Sequence, residues 1–532
     1  MLQEQLLVVI SLLFGIAMLT MLSEKLKMSY PILLVISGLL ISLIPGMPVI
    51  SLEPDLVFLI FLPPILYAAA WNTSWKDFWK LRRPISLLAF GLVIFTSAAV
   101  AVVSHAIIPD FSLAFGFLLG GIISPPDAVA ATSVLQGLKV PKRVVTILEG
   151  ESLVNDASSL IVFRFALAAI VTGQFGMWDA TRQFALVAGM GIVIGVAIAY
   201  IVYIIHRFFP TNASIDAGLT LITPYAMYVG AEHFHYSGVL AVVSGGLFLT
   251  YRSHEIFNSE SRIQIVGLWD TLIFLLNGFV FILIGLQLPG IVKGLGNYSV
   301  WEAIGYGVII SIVTILVRII WVFPGAYIPR WLFKSIRNTE PNPGWKQVFL
   351  IAWSGMRGVV SLASALAIPL TLAGQAFPHR NLILFITFVV ILITLVLQGL
   401  SLKPLIRILN IEEGNKEDEQ LKTLTLRIRL AESVLSYLDT NYPEETQNND
   451  TYKRVRDRYE RMIEITKRKL EGDEEHESAS FLPQYRQMLL ELIHIRRREL
   501  NYLRHKAEYS EELIREREWE LDLEEARLQQ IS

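Results

Sequence analysis

Long apolar stretches dominate the chain between residues 6 and 402. A helix needs about 20 mostly apolar residues to cross the roughly 30 Å of hydrocarbon in a bilayer, and 53% of the 532 residues are hydrophobic. We predict thirteen membrane spans, near residues 6–22, 30–45, 55–71, 84–107, 112–134, 143–171, 183–205, 214–231, 236–252, 266–289, 299–325, 346–372 and 380–402. The pattern therefore predicts an all-α integral membrane protein with about 13 transmembrane helices.

The charged residues divide the chain into two parts. Residues 1–409 are apolar and sparsely charged, whereas residues 410–532 are rich in Glu, Lys and Arg. We therefore predict a transmembrane domain followed by a helical cytoplasmic tail, which would serve regulation or dimerisation. Helical segments of the tail are predicted at 416–440, 450–472 and 480–529. The last of them is expected to pack against a helix or coiled coil through Leu489, Leu492 and Ile495.

The amino-acid composition also limits which kinds of functional site the chain can form. The chain has no cysteine, which excludes disulfides and Cys-ligated metals. We find no glycine-rich phosphate-binding loop. We therefore predict no cofactor and no nucleic-acid partner, and we expect a transporter rather than an enzyme.

The basic residues of the loops predict the orientation. When alternate loops are assigned to opposite sides, nearly all Lys and Arg residues fall on one side, and only Arg182, Lys293 and Arg380 lie opposite. Basic loops stay in the cytoplasm, so we expect the N-terminus outside and the tail in the cytoplasm of a bacterial inner membrane. The first apolar run lacks a basic leading segment, and we interpret it as a transmembrane helix rather than a signal peptide.

Two spans carry helix-breaking residues at matching positions. Thirteen spans can be arranged as six, one and six, which would relate the halves as inverted six-helix repeats. The fifth span is interrupted by Ser124-Pro125-Pro126-Asp127 and the twelfth by Ser354-Gly355-Met356-Arg357-Gly358. Two ordinary helix kinks are the alternative. Because both breaks carry a charge, we predict two broken helices that cross near a transport site.

The sixth span holds the densest set of polar residues. At 100° per residue, Ser152, Asp156 and Ser159 share one stripe, and Glu151 and Asn155 share the next. Oxygen ligands suit hard cations, and desolvation disfavours the charged form of a buried carboxyl group. A proton and a monovalent cation can then compete for one carboxylate. We assign that role to Asp156, with Ser152 as a neutral ligand.

The remaining intramembrane charges are given supporting roles. We expect Arg357 to pair with Glu151, because two adjacent unpaired carboxylates would be costly to bury. Asp127 is expected to offset the positive ends of two half-helices, with direct cation binding as the alternative. Arg357 is expected to offset the negative ends of helices where their C-termini meet. For Arg318 and Arg164 we favour structural roles.

Four short motifs resemble a known family. They are Phe61-Leu62-Pro63-Pro64-Ile65-Leu66, Asp127, Gly150-Glu151-Ser152-Leu153-Val154-Asn155-Asp156 and Gly355-Met356-Arg357-Gly358. In this order they are similar to motifs of the monovalent cation:proton antiporter family, in its bacterial NhaP/NHE-type sodium/proton form. The resemblance covers residues 1–409.

The resemblance implies a homodimer in the plasma membrane that serves pH homeostasis. Spans 1–3 and 8–10 would form an interface domain, and spans 4–6 and 11–13 would form a core that moves by an elevator-like mechanism. An Asn at position 155 implies electroneutral exchange of one Na⁺ or Li⁺ for one proton, with Na⁺ at Asp156 and Ser152. The family's Glu–Arg pair maps onto Glu151 and Arg357.

Two departures from the family pattern leave the choice of cation open. Ala68 stands where many relatives carry an acidic residue, and Pro126 stands where some carry Thr. K⁺/H⁺ exchange is the alternative within transporters. Outside this class, a cation channel lacks a repeated filter motif. An intramembrane protease with Asp127 and Asp156 as a dyad would hydrolyse peptides without any cation-dependent proton flux.

Overall fold

The computed structural model describes residues 2–26, 28–44, 54–135, 138, 140–173, 177–296, 298–340, 342–372, 374–411, 416–471, 476–506, 509 and 511–529. The chain forms two compact units, Met1–Gly414 and Asn415–Ser532.

The regular structure among the described residues of the first unit consists of helices and one small hairpin. Its helices are α1 (Leu2–Leu26), α2 (Tyr30–Ser42), α3 (Pro54–Asn72), α4 (Trp75–Lys80), α5 (Arg82–Ser86), α6 (Val93–Ile107), α7 (Leu113–Ile123), α8 (Ala128–Leu135), α9 (Lys142–Thr172), α10 (Met177–Phe208), α11 (Ala213–His233), α12 (Gly238–Ile256), α13 (Ser259–Leu286), α14 (Leu288–Lys293), α15 (Val300–Leu332), α16 (Lys334–Thr339), α17 (Trp345–Trp353), α18 (Val359–Leu366), α19 (Arg380–Ile393) and α20 (Gly399–Ile408). Two π-helical segments, Leu87–Leu92 and Thr394–Gln398, join α5 to α6 and α19 to α20. The hairpin pairs β1 (Thr371–Leu372) with β2 (Gln375–Ala376).

Eight helical runs of the described chain are long and apolar enough to cross a membrane. They are Leu6–Leu26, Arg82–Ile107, Leu113–Leu135, Lys142–Thr172, Ala185–Phe208, Ser259–Lys293, Val300–Leu332 and Arg380–Ile408. Each coincides with one of the predicted spans. The other predicted spans fall on helices that are shorter or less apolar, namely α2, α3, α11, α12 and the pair α17 and α18.

The twelfth predicted stretch, 346–372, extends too far. Helix α18 ends at Leu366, and the chain then enters the β1–β2 hairpin. Pro369 stands between them, and proline disfavours helical backbone in the residue before it. The two-stranded hairpin is thus an exception to the all-α prediction.

Both helix breaks predicted from the sequence are present. Helix α7 ends at Ile123 and α8 begins at Ala128, while α17 ends at Trp353 and α18 begins at Val359. Proline lacks an amide hydrogen, so the two prolines of the first break cannot continue the helical hydrogen bonds. The backbone N–H of Asp127 donates to the carbonyl oxygen of Met356 at 2.7 Å. This hydrogen bond joins the two breaks directly.

Two clusters of buried apolar side chains hold the first unit together. The larger includes Leu118 on α7 and Phe388 on α19. The smaller includes Tyr67 on α3 and Met227 on α11. Helix α9, which carries the polar stripe, contributes to both clusters through Leu148 and Leu153 respectively.

The second unit consists of paired helices. They are α21 (Lys416–Asn441), α22 (Pro443–Asn448), α23 (Asp450–Glu471), α24 (His476–Lys506) and α25 (Glu511–Gln529). Helix α21 packs against α23, and α24 packs against α25. The predicted packing face of the last segment is only partly right, because Ile493 is buried on α24 whereas Leu492 and Ile495 are 46% and 52% exposed.

Candidate functional site

A cavity of about 190 Å³ lies where the two helix breaks meet α3, α9 and α13. We call it the central cavity. Its lining consists of Leu62, Ile65, Leu66, Ala68, Ala69, Asn72, Pro125, Pro126, Asp127, Ala128, Val129, Thr132, Glu149, Ser152, Leu153, Asp156, Ile273, Asn277, Gly358, Val359, Val360 and Ser361. The lining is mostly apolar with a few oxygen-bearing side chains, which is the usual composition of a small-ligand site.

Helix α9 carries the carboxylate at the centre of the site. The helix begins after Pro141 and ends before Gly173, whose φ of 69° is the left-handed conformation typical of a helix C-cap. Asp156 lies near the middle of this 31-residue helix and is 6% exposed. Its carboxylate lines the central cavity and accepts no hydrogen bond from the residues that the structure describes. The Asp156 carboxylate is therefore buried without a compensating partner.

Two neighbours of Asp156 on α9 bind the first break. The Ser152 hydroxyl oxygen accepts the backbone N–H of Ala128 at 3.3 Å. The Asn155 side-chain amide donates to the carbonyl oxygen of Pro126 at 3.2 Å. Ser152 lines the central cavity beside Asp156, whereas Asn155 is not part of the lining. These contacts hold the break against α9.

Asp127 caps the N-terminus of α8. Its Oδ1 accepts the backbone N–H groups of Val129 at 2.8 Å and Ala130 at 3.4 Å. The second break approaches the same carboxylate, since a Cβ added at Gly358 would lie 1.8 Å from Oδ2 of Asp127. Only glycine leaves room for this approach.

The predicted pairing of Glu151 with Arg357 is wrong. Arg318 on α15 binds both Glu151 oxygens, from Nη1 to Oε1 at 2.5 Å and from Nη2 to Oε2 at 2.8 Å. Both side chains are 1% exposed. Arg318 also donates to the carbonyl oxygen of Ile351 near the end of α17, and Gly355 leaves the space through which the arginine passes. Arg318 is thus a structural residue whose partner the sequence did not reveal.

Arg357 binds backbone groups instead. Its Nε donates to the carbonyl oxygen of Ile123, the last residue of α7, at 2.7 Å. Its Nη1 donates to the carbonyl oxygen of Gly355, and its backbone N–H donates to Oγ1 of Thr394 at 3.1 Å. Thr394 begins the second π-helical segment. The guanidinium therefore lies at the carbonyl end of α7 and is 1% exposed.

Two predicted serines lie outside the cavity lining. The hydroxyl of Ser124 donates to the carbonyl oxygen of Gly121 at 3.2 Å, and that of Ser159 donates to the carbonyl oxygen of Asp156 at 2.9 Å. Both hydroxyls satisfy helix carbonyls one turn earlier. The first π-helical segment is held in a similar way, because Ser158 donates to the carbonyl oxygen of Ala89.

Two polar residues of the lining, Asn277 and Ser361, were not among the predicted site residues, whereas Asp127 was. Three oxygens of lining residues have no hydrogen-bond partner among the described residues, namely Oδ2 of Asp127, Oδ1 of Asn277 and Oγ of Ser361. Buried polar atoms without partners usually have a reason, such as an ion or water. Asn277 and Ser361 come from α13 and α18, and only their polarity within apolar helices could have indicated them.

Comparisons with known proteins identify the family of the chain. The transmembrane model of the sodium/hydrogen exchanger family matches residues 8–408. The chain is 35% identical over 401 residues to a sodium, potassium, lithium and rubidium/H⁺ antiporter of Bacillus pumilus; this match covers 74% of the chain but only 58% of that relative. It is 31% identical over 535 residues to an uncharacterized Na⁺/H⁺ exchanger of Mycobacterium tuberculosis, covering 98% of the chain and 96% of that relative.

A solved structure shares the fold. It is the sodium proton antiporter MjNhaP1 from Methanocaldococcus jannaschii, which superposes with a TM-score of 0.59 at 21% identity and covers 76% of this chain and 98% of its own. Because the family model matches nearly all of the first unit, the chain belongs to the sodium/hydrogen exchanger family and is a multi-pass membrane protein.

Proposed function

We propose that the chain exchanges one monovalent cation for one proton, electroneutrally, at Asp156. The observation that carries the proposal is a 6% exposed carboxylate that lines a cavity and has no partner among the described residues. An isolated buried charge is costly, so either a proton or a cation must neutralise it. Since both cannot occupy the carboxylate together, competition between them couples their movements.

The proposed cation site is built from oxygen ligands. Asp156 and Ser152 lie one helical turn apart on α9 and both line the cavity. The unpartnered oxygens of Asp127, Asn277 and Ser361 line it as well. Oxygen donors suit Na⁺, Li⁺ and K⁺. We place Na⁺ or Li⁺ at Asp156 and Ser152, with the other oxygens as supporting ligands.

The other charges near the cavity are proposed to stay constant during the cycle. Glu151 is neutralised by Arg318, and Asn155 carries no titratable group. Asp127 is proposed to offset the positive end of the α8 dipole, which favours a negative charge at this place. Arg357 is proposed to offset the negative end of the α7 dipole, at the carbonyl end of that helix. Because a single carboxylate carries a cation in one direction and a proton in the other, one positive charge crosses the membrane each way and no net current flows.

K⁺/H⁺ exchange is the second candidate function, and the size of the central cavity supports it. About 190 Å³ exceeds the roughly 30 Å³ share of one water several times, so a bound ion could keep part of its hydration shell. Ala68 contributes no further carboxylate to the site. The Bacillus pumilus relative is named for potassium and rubidium as well as sodium and lithium. A roomy site discriminates weakly between ions of different size.

The finer architecture is proposed on the same basis. We propose thirteen spans in inverted repeats, with an interface domain of spans 1–3 and 8–10 and an elevator-like core of spans 4–6 and 11–13. Exposed apolar side chains on α1, such as Leu7 and Phe14, are consistent with lipid or a second subunit on that face. We further propose a homodimer in the plasma membrane, an outward N-terminus, and a cytoplasmic regulatory or dimerisation role for residues 410–532.

The proposal is tested in proteoliposomes with a preformed pH gradient. Addition of Na⁺ or Li⁺ should collapse the gradient without a change in membrane potential, and Asp156→Asn should abolish the effect. Asp270→Asn is the matched control, because this exposed carboxylate of α13 does not line the cavity. If only K⁺ collapses the gradient, the second candidate replaces the first. If Asp156→Asn transports normally, the proposed site is wrong.

A further inference from the structure

A second cavity of about 670 Å³ lies at the ends of three helices of the first unit. We call it the basic cavity. Its lining consists of Asp77, Lys80, Leu81, Arg82, Arg83, Lys142, Arg143, Thr146, Ser335, Ile336 and Glu340. Its cations come from two parts of the chain that are far apart in sequence, residues 80–83 and 142–143, and residues 335–340 complete the lining. None of these residues lines the central cavity.

The basic cavity lies at the ends of three candidate membrane spans. Candidate spans begin at Arg82 and Lys142, and Ser335 follows the end of a third at Leu332. Trp75 and Trp79 on the adjoining helix α4 are 38% and 53% exposed. Tryptophan is enriched where a membrane meets water. The cavity therefore opens where hydrocarbon gives way to headgroups.

The positive charge of the basic cavity is only partly compensated. Five cations face two carboxylates, and Arg83 occupies both oxygens of Glu340 at 2.8 and 2.6 Å. Neither Lys80 nor Lys142 has an ion-pair partner among the residues described. Like charges held together repel each other. A bound anion would relieve this repulsion.

The donors present suit a phosphate group. Lysine offers a point charge and arginine a planar fork, and both bind phosphate oxygens well. Helix α9 also starts at this cavity with Lys142, and its N-terminus has no side-chain cap. Uncapped N–H groups at a helix start favour an anion.

We propose that the basic cavity binds a phosphate-bearing anion, supplied by the headgroup of an anionic phospholipid. The position at the ends of three spans and the exposed tryptophans favour a lipid over a soluble phosphate. The alternative is that each basic residue only helps to set the orientation of the protein in the membrane. That role requires positive charge on one side of the membrane, but it does not require the basic residues to line the same cavity. Basic pockets between transmembrane helices are known to suit anionic headgroups.

The test measures lipid binding and does not depend on transport. Purified full-length protein in neutral detergent is titrated with phosphatidylglycerol or phosphatidylcholine, and bound lipid is counted by native mass spectrometry. The variant Lys80→Gln/Arg82→Gln/Lys142→Gln removes three charges of the cavity. The control Lys76→Gln/Lys334→Gln/Arg337→Gln removes three exposed charges of the same region that do not line it.

The wild type and the control should prefer phosphatidylglycerol, and the cavity variant should bind it about a hundredfold more weakly, since each of its three lost charges contributes about fivefold. Should the triple variant fail to fold, Lys142→Gln alone should weaken binding by about fivefold, because it removes one of the cations that line the basic cavity. If inorganic phosphate binds the wild type equally well and displaces the lipid, the anion site stands and its ligand is soluble. Equal binding of both lipids, or undiminished binding by the variants that fold, overturns the proposal.

Discussion

The buried pair of Glu151 and Arg318 gives a sharp quantitative prediction. Each side chain is 1% exposed, and two charge-assisted hydrogen bonds of 2.5 and 2.8 Å join them. Breaking such a pair leaves an uncompensated charge in the interior, which costs about 3–5 kcal/mol. Replacing both partners by apolar residues of similar size is often nearly neutral. We therefore expect Arg318→Met and Glu151→Leu each to be strongly destabilising, and the double variant to be much less so.

The size of the coupling energy depends on which hydrogen bonds the double variant loses in addition to the ion pair. Arg318 also donates to the carbonyl oxygen of Ile351, and the loss of these hydrogen bonds to a neutral acceptor costs about 1–2 kcal/mol. The two single variants together should cost about 6 kcal/mol or more. The coupling energy of the double-mutant cycle is therefore expected to be about 4 kcal/mol.

The assay is denaturant-induced unfolding of the purified protein in detergent. Arg164 and Glu232 form a matched control, since Arg164 Nη2 lies 2.9 Å from both carboxylate oxygens but the side chains are 47% and 29% exposed. Exposed pairs of this kind couple by only about 0.2–1 kcal/mol. If the costs of the Arg318 and Glu151 variants simply add, or couple no more than the control pair, the buried pair does not exist as described.

Two further predictions concern other contacts of the first unit. Gly358→Ala should impair both folding and transport, because the added Cβ would lie 1.8 Å from Oδ2 of Asp127. Gly305→Ala should be tolerated, because a Cβ at Gly305 meets nothing within 4 Å. Equal behaviour of the two variants in thermal unfolding and flux assays would contradict the contact between Gly358 and Asp127. The hydrogen bonds from Arg83 hold the pKa of the Glu340 carboxyl below its usual range, so the stability that the pair contributes should be constant above about pH 4.3 and decline as the pH falls further. Melting temperatures of the wild type and Glu340→Gln should accordingly differ at neutral pH and converge in acid, and a difference that grows on acidification would show the sign to be wrong.

The helix breaks could be predicted because they depend on local chemistry. Pro125 and Pro126 remove backbone donors, and Gly355 and Gly358 loosen the backbone. These effects act at the residue itself, whatever surrounds it. Helical periodicity similarly placed Ser152 and Asp156 on one stripe, and both line the central cavity.

The partner of Glu151 could not be predicted in the same way. Arg318 and Arg357 are both buried arginines near the crossing helices, and periodicity gives the face of a helix but no distance to another one. The structure assigns Glu151 to Arg318 and leaves Arg357 to backbone carbonyls. The contribution of Asn277 is likewise a matter of tertiary packing, since α13 is distant in sequence from α9.

The tail shows the same limit on a smaller scale. Apolar residues at helical spacing correctly indicated that α24 packs against another helix. They did not identify the buried position, because Ile493 and Leu492 are adjacent and the choice depends on which face of α24 packs against α25. Ile493 is 1% exposed.

The central claim, that one carboxylate holds either a proton or a cation, is tested most directly by counting protons released on cation binding. Calorimetric titration of the purified protein with Na⁺, in buffers of different ionisation enthalpy and at several pH values, gives this count. Where the cation displaces the proton, the account predicts that release approaches one proton per bound cation, that Asp156→Asn shows neither binding nor release, and that Asp270→Asn behaves like the wild type. Cation binding without proton release at every pH, or release that persists in Asp156→Asn, would contradict it.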